Sequence, residues 1–119
     1  MASTDPLMLA LTTEADLSRA KALASRLLEQ DLVACVSLLP VTSLYRWEGK
    51  LCDEAEIQLL MKTRLSLLKV LEQAVLQHHS YELPEWLTWP VAASEAYRSW
   101  AQLQLRPEPE QGDAEAPVP

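Results

Sequence analysis

The chain has 119 residues, 49% of them apolar, which suits one domain around one modest core. Its formal net charge of -7 excludes the clustered basic face that nucleic-acid phosphates require, and it disfavours anionic membrane surfaces. The N-terminus does not read as a secretory signal, no run reaches membrane-span length, and two cysteines make no disulfide framework, so a reducing, cytoplasmic setting is the expectation.

Leu7 to Thr13 (LMLALTT) is a short apolar run and predicts a buried strand. Thr13 and Asp16 form a helix-start signal, with Thr13 as the expected cap. The apolar spacing of Leu17, Ala20, Ala24, Leu27 and Leu28 then predicts a helix over about 14–30. Val33 to Pro40 predicts a second strand that bends or bulges at Pro40 and resumes over Val41 to Trp47. Glu48-Gly49 is a turn signal, after which Lys50 to Thr63 returns antiparallel. The polar Cys52 to Glu56 part is expected to project beyond the core as a hairpin arm, and Tyr45 and Trp47 share one face of it opposite Arg46.

Thr63 is the expected cap of a second helix, whose stripe is Leu65, Leu68, Leu71, Val75 and Leu76. That helix must stop near His79, because Leu83 precedes Pro84 and is pushed to extended geometry. Trp86 to Val91 predicts an edge strand, and Ser94 caps a last short helix carrying Tyr97, Trp100 and Leu103. The domain is placed at residues 1–105. Residues 106–119, proline-rich and acidic, read as a disordered tail with a conceivable role in recruiting a partner. The order β-α-β-β-α-β with an added helix predicts an α+β, ferredoxin-like sandwich. One helix layer cannot cover Leu38, Leu44, Tyr45, Trp47 and Leu59, so self-association is expected.

The stretch HHSYELPEW (His78 to Trp86) gathers the chemistry-bearing residues. Adjacent helical histidines point about 100° apart, so His78 and His79 can share a metal ion only where the helix ends; otherwise they cap its last carbonyls. Glu82 and Glu85 flank Pro84, and Tyr81 is expected to hydrogen-bond a carboxylate across a subunit boundary. Lys62 ends an apolar strand and needs a partner, either Glu82 or Glu85 or an anion in a cleft. Cys35 reads as a small core residue and Cys52 as partly exposed. No nucleophile paired with a base is recognisable, so no enzyme activity is expected.

Three motifs in order resemble the CutA family of divalent-cation tolerance proteins. They are LVACVSLLP (Leu32 to Pro40), SLYRWEGK (Ser43 to Lys50) and HHSYELPE (His78 to Glu85), and the similarity spans about Leu7 to Leu105. The resemblance implies a ferredoxin-like protomer in a homotrimer resembling the PII signalling proteins, with hairpins reaching neighbours and clefts between subunits. It implies a role in the response to divalent metal ions, copper among them, with no required cofactor and Cu(II) or another divalent cation as candidate ligand. Cleft residues are then Trp47, Lys62, Tyr81, Glu82 and Glu85, with His78 and His79 as candidate metal ligands and Tyr45, Trp47 and Trp86 at the trimer interface. Two departures stand out. Pro40 runs into Val41 where relatives commonly have glycine, and Thr12 occupies the place of a cysteine that joins the histidines as a copper ligand in some members. Losing that thiolate removes the donor that favours Cu(I). The alternative is a non-enzymatic, PII-like signalling or adaptor trimer that binds a small anionic metabolite through Lys62 and Arg46.

Overall fold

Four strands and three helices follow one another in the computed structural model, which describes residues 5–107. The predicted tail therefore lies outside the described residues from position 108 onward. Strands β1 (Leu7–Glu14), β2 (Cys35–Trp47), β3 (Lys50–Arg64) and β4 (Leu87–Pro90) form one antiparallel sheet in the order β2-β3-β1-β4. Helix α1 (Leu17–Glu29) links β1 to β2, and α2 (Leu68–His78) links β3 to β4 after a single 3-10 turn. Each link joins two strands that flank a third, which is the split β-α-β arrangement of the ferredoxin-like sandwich.

Pairing decides which side chains face the helices, because directly opposed residues in an antiparallel pair share a face. Ala10 opposes Met61, Thr12 opposes Leu59, and Leu38 opposes Leu59. These positions meet Leu23, Leu27, Leu71 and Val75 in the main core. Fully burying each of these leucines contributes about 2 kcal/mol. Leu59 and Leu38 therefore belong to the helix-covered core and not to a bare face, contrary to the sequence expectation. The opposite face is also partly covered. Helix α3 (Glu95–Gln104) brings Ala101 against Leu7, Ala34, Leu67 and Leu105 in a second small cluster.

Several start signals resolve differently from expectation. Asp16, not Thr13, caps α1 by accepting from the Arg19 amide at 2.8 Å, and Thr13 and Glu14 finish β1. Thr63 stays in β3 and donates to the Leu32 carbonyl at 2.8 Å, tying the α1–β2 loop to the sheet. Ser94 caps α3 as expected, accepting from the Tyr97 amide at 3.2 Å. Pro40 makes no bulge, since the register runs unbroken through Leu39 to Val41. Beside β3 alone, β2 is an edge strand and tolerates the missing donor.

The residues Val41 to Trp47 pair only with Lys50 to Glu56, and this two-stranded arm extends past the end of β1. Its turn is tight: Glu48 and Gly49 both have positive φ, 51° and 80°. A two-residue turn of this hand matches strand twist but strains a glutamate. Glu48→Asn is therefore expected to stabilise the fold by about 0.5–1 kcal/mol, measured by denaturant unfolding. At the other end the chain is fixed through Arg106. Its amide donates to the Asp31 carbonyl at 2.9 Å, and its own carbonyl accepts from the Arg64 guanidinium. The structure thus holds Arg106, which the sequence places in the tail.

Candidate functional site

The end of β1 organises everything around it. Glu14 is nearly fully buried there, 1% exposed. Its carboxylate accepts from the Ser80 hydroxyl at 2.5 Å, the Ser80 amide at 3.0 Å and the Ala15 amide at 3.0 Å. Burial pushes this carboxyl up, but the Ser80 hydroxyl and the two amides outweigh it and hold it below its ordinary value.

His79 closes the same network. Its side chain is fully buried, with Nε2 at 2.6 Å from the Thr13 carbonyl and Nδ1 accepting from the Tyr81 amide at 3.0 Å. A carbonyl can only accept and an amide can only donate, so the contacts assign the neutral Nε2–H tautomer. Both ring nitrogens are thereby committed. The ring binds β1 across the sheet edge and caps no helix carbonyl. His78 lies elsewhere, in a separate pocket of about 160 Å³ with Glu14, Arg19, Arg26 and Ser80. With both its ring nitrogens engaged, His79 offers no free nitrogen to share an ion with His78. Thr12 faces the buried core, its hydroxyl unpartnered. Among the described residues no three His, Cys, Asp or Glu side chains converge to hold a metal ion. The donor set does not fit a histidine-centred copper site.

Past His79 the chain cannot re-enter a helix before Pro84, so residues 80–86 run irregularly to β4. This segment and the arm enclose an open cleft of about 920 Å³. Trp47, Tyr81, Glu82 and Glu85 all line it, as do Tyr45 and Trp86 from the expected interface set. Tyr81 crosses to the arm and donates its hydroxyl to Glu56 Oε2 at 2.5 Å. Burial first, then that carboxylate, pushes the phenol far above its ordinary value, so it remains a donor. The tyrosine–carboxylate bond expected between subunits therefore forms within one chain. Nothing local in the sequence singles out Glu56, since a carboxylate on a polar arm carries no mark of burial.

Lys62 is not in the cleft. Its position opposite Leu9 and Cys35 puts it on the sheet face away from α1 and α2, where Nζ lies 2.8 Å from Ser37 Oγ and 3.8 Å from Cys35 Sγ. It forms no bridge to Glu82 or Glu85. Cys35 is accordingly half-buried beside an ammonium and not a core residue. Arg46 opposes Leu51 on the far face of the arm from Tyr45 and Trp47. Among the described residues, the cleft wall thus holds Glu56, Glu82 and Glu85 with no lysine, arginine or histidine.

Comparison with known proteins agrees with this architecture. The model of the family described as CutA1 divalent ion tolerance protein matches residues 8–104. The divalent-cation tolerance protein CutA of Citrobacter koseri is 43% identical over 98 residues, which is 81% of this chain and 85% of that protein. Among solved structures, CutA1 from Oryza sativa superposes with a TM-score of 0.83 at 34% identity, covering 88% of this chain and 98% of that one. CutA from Synechococcus elongatus gives 0.82 at 40% identity, covering 88% and 95%.

Proposed function

Because the chain belongs to the CutA1 divalent ion tolerance family, we propose that it acts without catalysis in the cellular response to divalent cations, as a homotrimer whose acidic cleft meets the ions. The observation that carries the reading is the cleft wall, which among the described residues has three carboxylates and no cationic side chain. Such a wall concentrates cations. Without converging donors it holds them weakly, with dissociation constants on the order of 0.1–1 mM. The same wall gives an anionic metabolite nothing to bind, since Lys62 and Arg46 lie outside it. Two free thiols suit a reducing cytoplasm.

Assembly is supported by what one copy leaves unfinished. The two-stranded arm has no third strand, and an isolated ribbon is marginal in water. Strand β2 exposes a long edge, and Leu44, Tyr45, Trp47, Leu87 and Trp89 are large apolar residues at least 38% exposed. The number of copies comes from the family resemblance. Light scattering on the eluting protein should give three times the 13.4 kDa chain mass; a stable monomer would contradict the assembly.

A further inference from the structure

We propose that Lys62 of one copy is paired, in the assembled protein, by the Glu54 carboxylate of the next. The inference rests on the assembly reading above and names a residue pair that the copies exchange. Lys62 is half-buried, and its ammonium meets the Ser37 hydroxyl at 2.8 Å and the Cys35 sulfur at 3.8 Å. Among the described residues no carboxylate comes within ion-pair distance of it. A charge drawn partly out of water without a counter-ion costs free energy, so this side chain is unfinished in one copy. Its place says what covers it. The register sets Cys35, Lys62, Leu9 and Trp89 in one row on the sheet face away from α1 and α2. Trp89 belongs to the exposed apolar surface that assembly covers.

The carboxylate is identified by its face. Along β2, the aromatic contact residues Tyr45 and Trp47 lie on the same side as Ser43 and Cys35. Directly opposed residues share a side, so Glu54, opposite Ser43, and Lys62, opposite Cys35, stand on one continuous face. Glu54 is exposed and has no hydrogen-bond or ion-pair partner among the described residues. The other carboxylates nearby are engaged or turned elsewhere. Glu56 accepts from Tyr81, Asp53 opposes Leu44 on the reverse face, and Glu82 and Glu85 line the cleft. Glu54 and Lys62 are eight positions apart on β3, roughly 26 Å of extended strand, so they cannot meet within a chain. They can meet between copies. In a closed ring each copy offers its arm to one neighbour and its Lys62 face to the other, which gives every Lys62 a Glu54.

The test mixes isotope-labelled and unlabelled full-length protein and follows the exchange of copies by native mass spectrometry. Lys62→Met and Glu54→Gln should each speed exchange about thirtyfold, because each strands the charge of the neighbouring copy. If Lys62 has no partner in the assembly, Lys62→Met removes an unpaired ammonium and leaves exchange unchanged or slower, and the proposal falls. By light scattering, Lys62→Glu and Glu54→Lys should each run near the 13.4 kDa chain mass, and the double variant should recover the assembled mass. Full assembly of Glu54→Lys overturns the pairing, and so do weakened single variants that the double variant does not restore. Should a Lys62 variant fail to fold, carbodiimide coupling of the mixed wild type decides. An amide joining Lys62 of a labelled chain to Glu54 of an unlabelled one supports the pair, and its absence overturns it. A monomeric wild type removes the assembly reading together with the pair, whereas an assembled wild type that fails these tests removes the pair alone.

Discussion

Glu14→Ala is expected to destabilise the protein by about 2–4 kcal/mol, because three hydrogen bonds to a buried carboxylate are lost together. The substitution strands the Ser80 hydroxyl and the Ser80 and Ala15 amides, all of which lose their acceptor. It also releases residues 79–81 from the end of β1, and that joint aims Tyr81 across the cleft to Glu56. Denaturant unfolding checks the loss, with Glu29→Ala on the exposed end of α1 as a control expected within about 0.5 kcal/mol of wild type. The same carboxylate sets an acid limb. Its folded pKa lies below the ordinary 4.5, so its stabilisation is fully present above that value and is lost as pH falls through the folded one. The wild type should therefore lose stability below about pH 4.5, and Glu14→Ala should flatten that part of the profile. An unchanged slope would remove Glu14 from its keystone role.

Thr12→Val is expected to stabilise the protein by about 1–2 kcal/mol. Thr12 is completely buried in the helix-facing core, and its hydroxyl has no hydrogen-bond partner. An unpaired buried hydroxyl costs free energy of this order, and valine keeps the β-branched shape that suits a strand. This is also the position at which some relatives place a cysteine ligand. A more stable Thr12→Val protein with undiminished cation binding would show that the position packs the core and nothing more. A loss of stability would mean that the hydroxyl is serving a partner.

The element order was readable because its signals are local. The apolar run LMLALTT, the turn at Glu48-Gly49 and the stop imposed by Leu83-Pro84 act within a few residues. The cleft was half readable for the same reason: Tyr81, Glu82 and Glu85 share a segment, and Tyr45 and Trp47 share a face of one strand. What escaped depends on partners far along the chain. Glu14 reads as the first turn of a helix because Thr13 and Asp16 together form a start signal around it. Its real partner, Ser80, is 66 positions away. Lys62 ends an apolar run, IQLLMK, whose two faces cannot be told apart until β1 and β2 are laid beside it. Pairing with Cys35 and Leu9 then sends it away from the glutamates. The histidine pair was misleading in the opposite sense. Its residue types suit a metal, but one ring is spent on backbone groups.

The central claim is that cations meet this protein at the carboxylates of the cleft and not at the histidine pair. Calorimetric titration with Cu(II) on the assembled wild type, on His78→Ala, and on Glu82→Gln with Glu85→Gln tests it most directly. The account predicts weak heat that His78→Ala leaves intact and the double glutamine variant abolishes. Tight binding that disappears in His78→Ala and survives in the glutamine variant would contradict it.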